Sequence, residues 1–430
     1  MKHVAIVGAG VTGVSTAYSL LKRGCRVTVF DRERYAAMQT SFANGGQLSA
    51  SNAEVWNQAG TVLKGLKWMF RRDAPLLVNP KPSWHKLSWM AQFVASIPQY
   101  AANTIETTRL AVAAREHLYQ WADDEGIDFD LEKRGILHIY QNRAGFEHGE
   151  KVNKLLAAGG LERRAVTPAE MQALEPTLTG QYYGGFLTET DATGDIHKFS
   201  RGLAAAAKRM GAEFRYETEV DTLRHVDSGI EINSRSMNAD ISAEPVGVQE
   251  HFDAVVVCAG VRSRDFAAQL GDRVNIYPVK GYSISVNLPD EASRQAAPWI
   301  SLLDDDAKVV TSRLGADRLR IAGTAEFNGF SKDIRNDRIE PLVRWCRQHF
   351  PGVDTEHVVP WAGLRPMMPN MMPKVGAGKK TGVFYNTGHG HLGWTLNTIT
   401  AEMVADVVET RLHESTRVGI ARPAASVVTA

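Results

Sequence analysis

Three glycines near the N-terminus have the spacing of a phosphate-binding turn. Gly8, Gly10 and Gly13 occupy the glycine places of a GxGxxG motif within HVAIVGAGVTGVSTAYSLLKRGCRVTVFD, residues 3–31. In this motif the first glycine allows a tight turn, the second lets a pyrophosphate approach the backbone, and the third lets a helix pack close to a strand. Asp31 stands 18 residues after Gly13, where a carboxylate can accept hydrogen bonds from an adenosine ribose. These residues predict a site for the ADP part of a dinucleotide.

The sequence also predicts the strands and the helix that position these residues. The apolar runs HVAIV (3–7) and RVTVF (26–30) predict two buried parallel strands, and the segment between them predicts a helix from about residue 11 to residue 23. The N-terminus of that helix would face the phosphates. NAD and FAD share the ADP half, so this βαβ unit alone leaves both cofactors open.

Two later segments favour FAD. The loop TSFANGGQLS (40–49) is polar and glycine-rich, so it can wrap a pyrophosphate and reach a flavin ring, although a plain surface turn would look similar. Its candidate contacts are Ser41, Asn44, Gly45, Gly46 and Gln47. The strand in FDAVVVCAGVRS (252–263) ends at Ala259 and Gly260, which we expect to bring the backbone close to the cofactor from the same sheet.

The segment GHGHLGWTLN (388–397) predicts a third approach to the cofactor. It joins the apolar run GVFYNTG to a long helical pattern, so a helix N-terminus would lie beside the electron-rich N1/C2 edge of a reduced flavin. The histidines lack acidic or cysteine partners nearby, so we do not predict a metal site. The candidate contacts are Gly388, His389, Gly390, His391, Leu392 and Gly393.

The remaining patterns predict a discontinuous two-domain α/β protein with an α+β substrate part. Residues 82–130 are helical in pattern, whereas KGYSISVNL, KVVTSRL and RLRIAGTAE alternate as antiparallel strands do. We therefore expect a Rossmann-like FAD-binding domain interleaved with an antiparallel-sheet substrate domain. The first would comprise residues 1–80, 150–225, 250–275 and 365–430, and the second residues 81–149, 226–249 and 276–364.

Composition limits the partners and the compartment. Among 430 residues, 49 basic side chains balance 48 acidic ones, so there is no electrostatic case for nucleic acid binding. Three cysteines without metal-site spacing favour a reducing compartment, and we expect a cytoplasmic protein. The segment VLKGLKWMFRRDAPLLV (62–78) mixes apolar and basic residues, as does a peripheral segment on the inner face of the cell membrane. A half-buried helix or an active-site lid would give the same pattern.

Six segments together resemble a known family. They are VAIVGAGVTGVSTAYSLLKRGCRVTVFDRE, TSFANGGQLS, LKWMFRRDAPL, YPVKGYSISV, WAGLRPMMPNMMPKVG and NTGHGHLGWTL. Their order and spacing, from residue 1 to about residue 412, resemble the bacterial D-amino acid dehydrogenases within the FAD-dependent D-amino acid oxidase and glycine oxidase superfamily. The methionine-rich RPMMPNMMPKVG departs from the more polar turn usual in that family.

The resemblance implies roles for further residues. It places Gly8, Gly10, Gly13, Asp31 and Arg32 on the ADP portion of FAD. Towards the flavin it places Ser41, Asn44, Gly45, Gly46 and Gln47. Val220 would contact adenine through its backbone, and Arg365 in GLRP would bind the substrate carboxylate. Tyr282 in KGYS is a candidate pocket wall or hydrogen-bond donor, and Lys280 a candidate for a water-mediated place near flavin N5.

The implied reaction is oxidation of a D-amino acid by hydride transfer from Cα to flavin N5, followed by hydrolysis of the imino acid to a 2-oxo acid and ammonia. Electrons would pass to a quinone or another carrier. The alternatives are a D-proline or 4-hydroxy-D-proline dehydrogenase, an oxygen-using D-amino acid oxidase, and a non-catalytic flavin subunit of an electron-transfer complex. An NAD-dependent dehydrogenase is a weaker fourth reading.

Overall fold

The computed structural model describes residues 1–61, 74–238 and 247–420, with side chains as far as residue 414. The helices are α1 Val11–Lys22, α2 Trp84–Ala95, α3 Tyr100–Glu125, α4 Arg143–Ala158, α5 Pro168–Leu174, α6 Ile196–Arg209, α7 Ser263–Gln269, α8 Glu291–Ala296, α9 Asn336–His349 and α10 Gly393–Ile420. The strands are β1 His3–Val7, β2 Arg26–Phe30, β3 Gln47–Leu48, β4 Leu76–Val78, β5 Ile136–Tyr140, β6 Arg164–Val166, β7 Gly184–Thr188, β8 Ala192–Thr193, β9 Glu213–Arg215, β10 Thr218–Val226, β11 Gly229–Ser236, β12 Val248–Phe252, β13 Ala254–Val257, β14 Tyr277–Asn287, β15 Ser301–Asp304, β16 Val309–Arg313, β17 Arg318–Phe327, β18 Val358–Met367, β19 Lys374–Ala377 and β20 Val383–Thr387.

A mostly parallel six-stranded sheet forms the first half of the fold, in the order β19-β20-β13-β1-β2-β9. Strand β1 pairs in parallel with β2 on one side and β13 on the other, with Val4 opposite Ala254. The prediction that FDAVVV returns to the first sheet is therefore confirmed. Continuous apolar runs form these strands because both faces of a parallel sheet are covered.

Different helices and strands pack on the two faces of this sheet. Alternate side chains of β1 point in opposite directions, as a strand requires. Val4 and Ile6 pack with residues of α1, α3, α6 and α10, whereas Ala5 and Val7 pack with α7 and with the antiparallel meander β10-β11-β12. The N-terminal and C-terminal parts of the chain thus share one core.

A nine-stranded mixed sheet forms the second half, in the order β18-β14-β17-β16-β15-β5-β7-β6, with β4 paired to β17. Strands β14, β17 and β16 run antiparallel, which confirms the reading of the alternating segments after Val279. Apolar side chains of α9, including Leu342 and Cys346, pack on Ile284 and Ile321 on one face of this sheet. Residues of β14, β17 and β18 also line the cavity described below.

The strands divide the chain at other places than the sequence predicted. Strands β6 and β7 fall in the range 150–225, expected in the FAD-binding domain, yet they pair with β5 in the large sheet. Strand β11 falls in 226–249, expected in the substrate domain, yet Ile230 and Ile232 pack against the parallel sheet. Both differences arise because strand partners distant in sequence decide to which sheet a short strand belongs.

The predicted interfacial segment 62–78 lies mostly outside the described residues. Its last part, Leu76–Val78, forms β4 and pairs in parallel with β17. Among the described residues, no helix combines the length and the apolar character that crossing a bilayer requires.

Candidate functional site

A cavity of about 1140 Å³ lies at the carboxyl ends of the parallel strands. Its walls include the ends of β1, β2, β13 and β20 on one side and residues of β14, β17 and β18 on the other. Ligands of open parallel sheets bind outside these carboxyl ends. The volume exceeds the roughly 300–1,000 Å³ of a typical small-molecule site, so the cavity has room for a large cofactor together with a substrate.

The glycine turn at one end of this cavity needs its glycines for two different reasons. A Cβ on Gly8, whose φ is +107°, would lie 2.6 Å from the carbonyl oxygen of Cys258, and a Cβ on Gly13 would lie 1.9 Å from that of Gly8. These two glycines therefore permit the close approach of α1 to β1 and β13. A Cβ on Gly10 would have only Ser41 Oγ near it, at 3.6 Å, so Gly10 leaves open surface for a ligand.

Asp31 has a structural role beside its predicted one. Its carboxylate accepts hydrogen bonds from the backbone N–H of Ala9 at 2.5 Å and of Glu33 at 2.8 Å, which fixes the glycine turn to the end of β2. Burial raises the pKa of this carboxyl. Asp31 and Arg32 both line the cavity, and Arg32 Nε lies 3.4 Å from a carboxylate oxygen of Glu33. Their contacts with the ribose stay a prediction.

The loop 40–49 connects the glycine turn to the large sheet. Ser41 Oγ accepts a hydrogen bond from the N–H of Val11 at 3.1 Å, at the start of α1. Asn44 Oδ1 accepts from the N–H of Gly46 at 2.9 Å, and a Cβ on Gly45 would lie 2.7 Å from Val310. All five predicted residues of this loop line the cavity: Ser41, Asn44, Gly45, Gly46 and Gln47.

The segment before α10 also reaches the cavity. Gly388 and Gly390 have φ values of +79° and +58°, and the helix then begins at Gly393. The cavity wall includes His389, Gly390, His391, Leu392 and Gly393, together with Val220, Ala259 and Gly260 from the other predicted segments. Gly13 and Gly388 are not part of the wall.

Two buried polar atoms of the cavity wall lack hydrogen-bond partners in the part of the chain that the structure describes, and this bears on whether the site suits a flavin. Gln47 donates through Nε2 to Ser301 Oγ at 2.8 Å, but its Oε1 has no hydrogen-bond partner among the described residues. Trp394 Nε1, at the start of α10, is likewise unpartnered there. Both residues line the cavity. Buried polar groups are almost always paired, so one free acceptor and one free donor fit a polar ring system such as isoalloxazine.

Arg365 presents an uncompensated charge to the same cavity. Its guanidinium lies over Gly281, where a Cβ would be 2.4 Å from Cζ, and Nη1 donates to the carbonyl oxygen of Thr324 at 2.9 Å. Thr324 is a non-glycine residue in the left-handed region, at φ +58°. Among the described residues, no carboxylate lies within ion-pair distance of Arg365, and burial lowers its pKa to about 10. A half-buried cation of this kind calls for an anionic ligand.

The structure directs the polar groups of Lys280 and Tyr282 towards Glu326 rather than into the cavity. Tyr282 packs with the core beneath α9, and its hydroxyl donates to Glu326 Oε2 at 2.6 Å. The ammonium of Lys280 lies 3.2 Å from the same oxygen, and Lys280 is not part of the cavity wall. Tyr282 borders the cavity. The reason is strand parity: Gly281, between them, faces Arg365, so both neighbours point to the opposite face.

One wall of the cavity is formed by residues that no sequence motif indicated. Residues 52–58 form a segment without helix or strand in which Ala53, Val55 and Asn57 are completely buried. The partly exposed positions Asn52, Glu54, Trp56 and Gln58 line the cavity, and Val55 also borders it. The alternation in NAEVWNQ was the available signal, but nothing in the sequence showed which face it would present.

This wall contacts the glycine-histidine segment. The rings of Trp56 and His391 stack at 4.9 Å with an interplanar angle of 21°. His391 Nε2 lies 3.2 Å from the carbonyl oxygen of Asn52, so Nε2 carries the proton and donates it there. Among the described residues, no group of three or more His, Cys, Asp or Glu is arranged to hold a metal ion.

The sequence and the fold both have close relatives. Residues 3–407 match the family described as DAO, FAD dependent oxidoreductase. The chain is 60% identical over 412 residues to D-amino acid dehydrogenase 3 of Mesorhizobium japonicum, which covers 96% of this chain and 98% of that protein. It is 40% identical over 419 residues to D-amino acid dehydrogenase of Paramagnetospirillum magneticum, covering 95% of each.

Two solved structures share the fold at low sequence identity. Glycine oxidase from Geobacillus kaustophilus superposes with a TM-score of 0.73 at 21% identity, over 96% of each chain. L-proline dehydrogenase from P. horikoshii superposes with a TM-score of 0.73 at 15% identity, over 95% of this chain and 93% of that one. These likenesses describe the fold alone.

Proposed function

We propose a D-amino acid dehydrogenase activity for this chain, which belongs to the FAD dependent oxidoreductase family. The chain oxidises D-amino acids to imino acids, which water hydrolyses to 2-oxo acids and ammonia. A relative with 60% identity over nearly the whole length bears the same activity in its name. The observation in the structure that carries the proposal is Arg365, a cation without a carboxylate partner among the described residues, in a cavity that suits a flavin.

The two ends of the cavity would hold different parts of FAD. Gly8, Gly10 and Asp31 would hold the ADP part of FAD, whereas residues 44–47 and 389–393 would hold the flavin. When bound, FAD supplies the acceptor for the hydride that leaves Cα. The guanidinium fork of Arg365 grips the substrate carboxylate through two hydrogen bonds, which fixes the position of Cα. Orientation of this kind can contribute about 7–11 kcal/mol to lowering a barrier.

We propose a quinone or a carrier protein, rather than oxygen, as the electron acceptor. The curated relatives are named dehydrogenases, which supports this choice. Steady turnover in air with a dye acceptor should produce little peroxide. Peroxide formed in step with substrate consumption would instead indicate an oxidase.

We also propose that the protein is cytoplasmic and contacts the inner face of the membrane through residues 62–78. The basic and apolar composition of that segment supports the contact. Sedimentation with anionic vesicles should carry the protein down at low salt, and a chain with Lys64, Lys67, Arg71 and Arg72 changed to Gln should stay in solution. Equal sedimentation of both chains would contradict the contact.

An anaerobic flavin-reduction screen tests the activity directly. The purified protein should be yellow, and D-amino acids should bleach its flavin absorbance whereas the L-enantiomers should not. The screen should include D-proline and 4-hydroxy-D-proline, because a cyclic imino acid substrate is the nearest alternative. A yellow protein that no amino acid bleaches would indicate a flavin subunit without substrate chemistry of its own.

A further inference from the structure

Arg365 and Glu54, of the segment 52–58, are both charged side chains of the cavity wall, and neither forms an ion pair with a Lys, Arg, Asp or Glu side chain among the described residues. Among the described residues, no lysine or arginine lies within ion-pair distance of Glu54. Lys308 also lines the cavity, but its ammonium lies 2.9 Å from Asp305, which neutralises it.

The hydrogen bonds of Glu54 leave one carboxylate oxygen free. Oε1 accepts a hydrogen bond from the hydroxyl of Tyr100 at 2.7 Å and another from the side-chain amide of Gln58. His148 Nε2 lies 3.7 Å from the same oxygen. Oε2 has no partner among the described residues. Tyr100 and Gln58 therefore fix the carboxylate in place without occupying its second oxygen.

The charges of Glu54 and Arg365 both act on the same histidine of the cavity wall. Burial lowers the pKa of His391 to about 4, and the carbonyl of Asn52 raises it, Arg365 lowers it and Glu54 raises it. Both charges thus lie within electrostatic reach of one imidazole ring. That ring stacks on Trp56, two residues after Glu54. An anion and a cation placed in this way match the two charges of an amino acid zwitterion.

We propose that Glu54 binds the amino group of the substrate and takes up its proton, while Arg365 holds the carboxylate. This inference rests on the proposed function. It assigns a catalytic residue, since Glu54 would touch the reacting nitrogen. The substrate would lie between Glu54 and Arg365, beside His391.

The proton transfer prepares the amine for oxidation. An N–H bond of the ammonium breaks, an O–H bond forms on Glu54 Oε2, and the nitrogen keeps the electron pair. That pair then forms the C=N bond as the Cα hydrogen leaves with its own electron pair to the bound cofactor. The product is an iminium ion, which water hydrolyses.

The transfer converts an ammonium and a carboxylate into two neutral groups, and neutral groups cost less free energy than charged ones to enclose away from water. The titratable groups that face Glu54 are Tyr100, Tyr140, His148, Lys308 and His391. His148 is half-exposed at the cavity wall, so it can pass the proton to water.

Glu54→Gln tests the proposal with flavin reduction followed anaerobically. The variant keeps the shape of the side chain but cannot take up a proton. At pH 7 flavin reduction should be slower by about 100-fold or more. The rate should then rise tenfold per pH unit towards the pKa of the free substrate, because only substrate that is already deprotonated reacts. Flavin content and the Kd for propionate, a carboxylate without an amino group, should equal those of the unaltered chain.

Glu147→Gln is the matched control, because Glu147 is an exposed acid beside His148 that pairs with Arg143. It should leave all three measurements unchanged. A Glu54→Gln chain with an unaltered rate and pH profile would overturn the inference. So would a loss of propionate binding in parallel with the rate, since that would show a disturbed pocket instead of a lost proton acceptor.

The unaltered chain gives a second measurement that does not depend on the variant. Its reduction rate should level off well below the pKa of the free substrate ammonium. A tenfold rise per pH unit up to that pKa would mean that no residue accepts the proton, and would refute the role of Glu54. An unaltered chain that no D-amino acid bleaches would refute the proposed function instead, so the two failures are distinguishable.

Discussion

The guanidinium of Arg365 is charged, half-buried and held by a single carbonyl group among the described residues. A charge in that state costs free energy unless a ligand pairs with it. The resemblance to the family pointed to this arginine, and the structure supplies the physical reason. The motif GLRP does not show that the guanidinium lies over Gly281, where the absence of a side chain leaves room for it.

Substitution of Arg365 should therefore impair substrate binding more than cofactor binding. Arg365→Ala should raise the half-saturating concentration of a D-amino acid by roughly 100-fold, about 2.7 kcal/mol, because the buried carboxylate loses its partner. Arg365→Lys should restore only part of this, since an ammonium cannot form the bidentate pair. Flavin absorbance per chain should stay normal in both variants. An unchanged half-saturation would remove Arg365 from the substrate site.

At the scale of elements, pairs of neighbouring strands decide which side chains meet. Strand β14 presents Gly281 to the guanidinium of Arg365, whereas Tyr282 packs in the core beneath α9 and Lys280 pairs with Glu326. Strand β18 pairs with β14 so that Gly363 stands opposite Gly281 and Arg365 opposite Val279. The register of two strands about eighty residues apart thus positions the cation.

Gly281→Ala tests this register. The added Cβ would lie 2.4 Å from Cζ of Arg365, so the guanidinium must move. Overpacking of this kind costs about 1–3 kcal/mol, and we expect the half-saturating substrate concentration to rise by at least tenfold at constant flavin content. Gly247→Ala is the control, because nothing lies within 4 Å of a Cβ at that position. Equal effects of the two substitutions would contradict the assigned geometry.

At the scale of the whole molecule, both parts of the chain close around one cavity. Helix α10 lies against α1 in the core of the first sheet, and the segment before α10 reaches the large sheet. His389 is buried at this junction, with Nε2 3.0 Å from Thr400 Oγ1 of α10 and its backbone bridged to Met367 of β18. Burial lowers its pKa to about 3.

This buried histidine makes stability depend on pH. Its pKa in the folded state is below the unfolded value of about 6.5, so the unfolded state binds more protons and stability falls as the pH drops below about 6.5. Between pH 7 and pH 5 the loss should be about 2 kcal/mol for this residue. His389→Gln should reduce the difference in free energy of unfolding by urea between these pH values by that amount. The exposed His357→Gln should leave it unchanged, and an unchanged difference in His389→Gln would show that His389 does not contribute.

The sequence by itself determined the features that depend on residues close together in the chain. The glycine spacing at 8, 10 and 13, the flanking strands and Asp31 act within one βαβ unit, so their types and spacing suffice to predict a dinucleotide site. The alternation of apolar residues likewise identified the antiparallel strands, because one buried face imposes a period of two.

Tertiary structure alone decided the features that depend on contacts between distant segments. It left Lys280 out of the cavity wall, placed β6 and β7 in the large sheet and β11 against the parallel sheet, and brought Glu54 and Arg365 to the wall of one cavity. Strand parity, register and partner choice are set by side chains far apart in the chain, so no local pattern contains them.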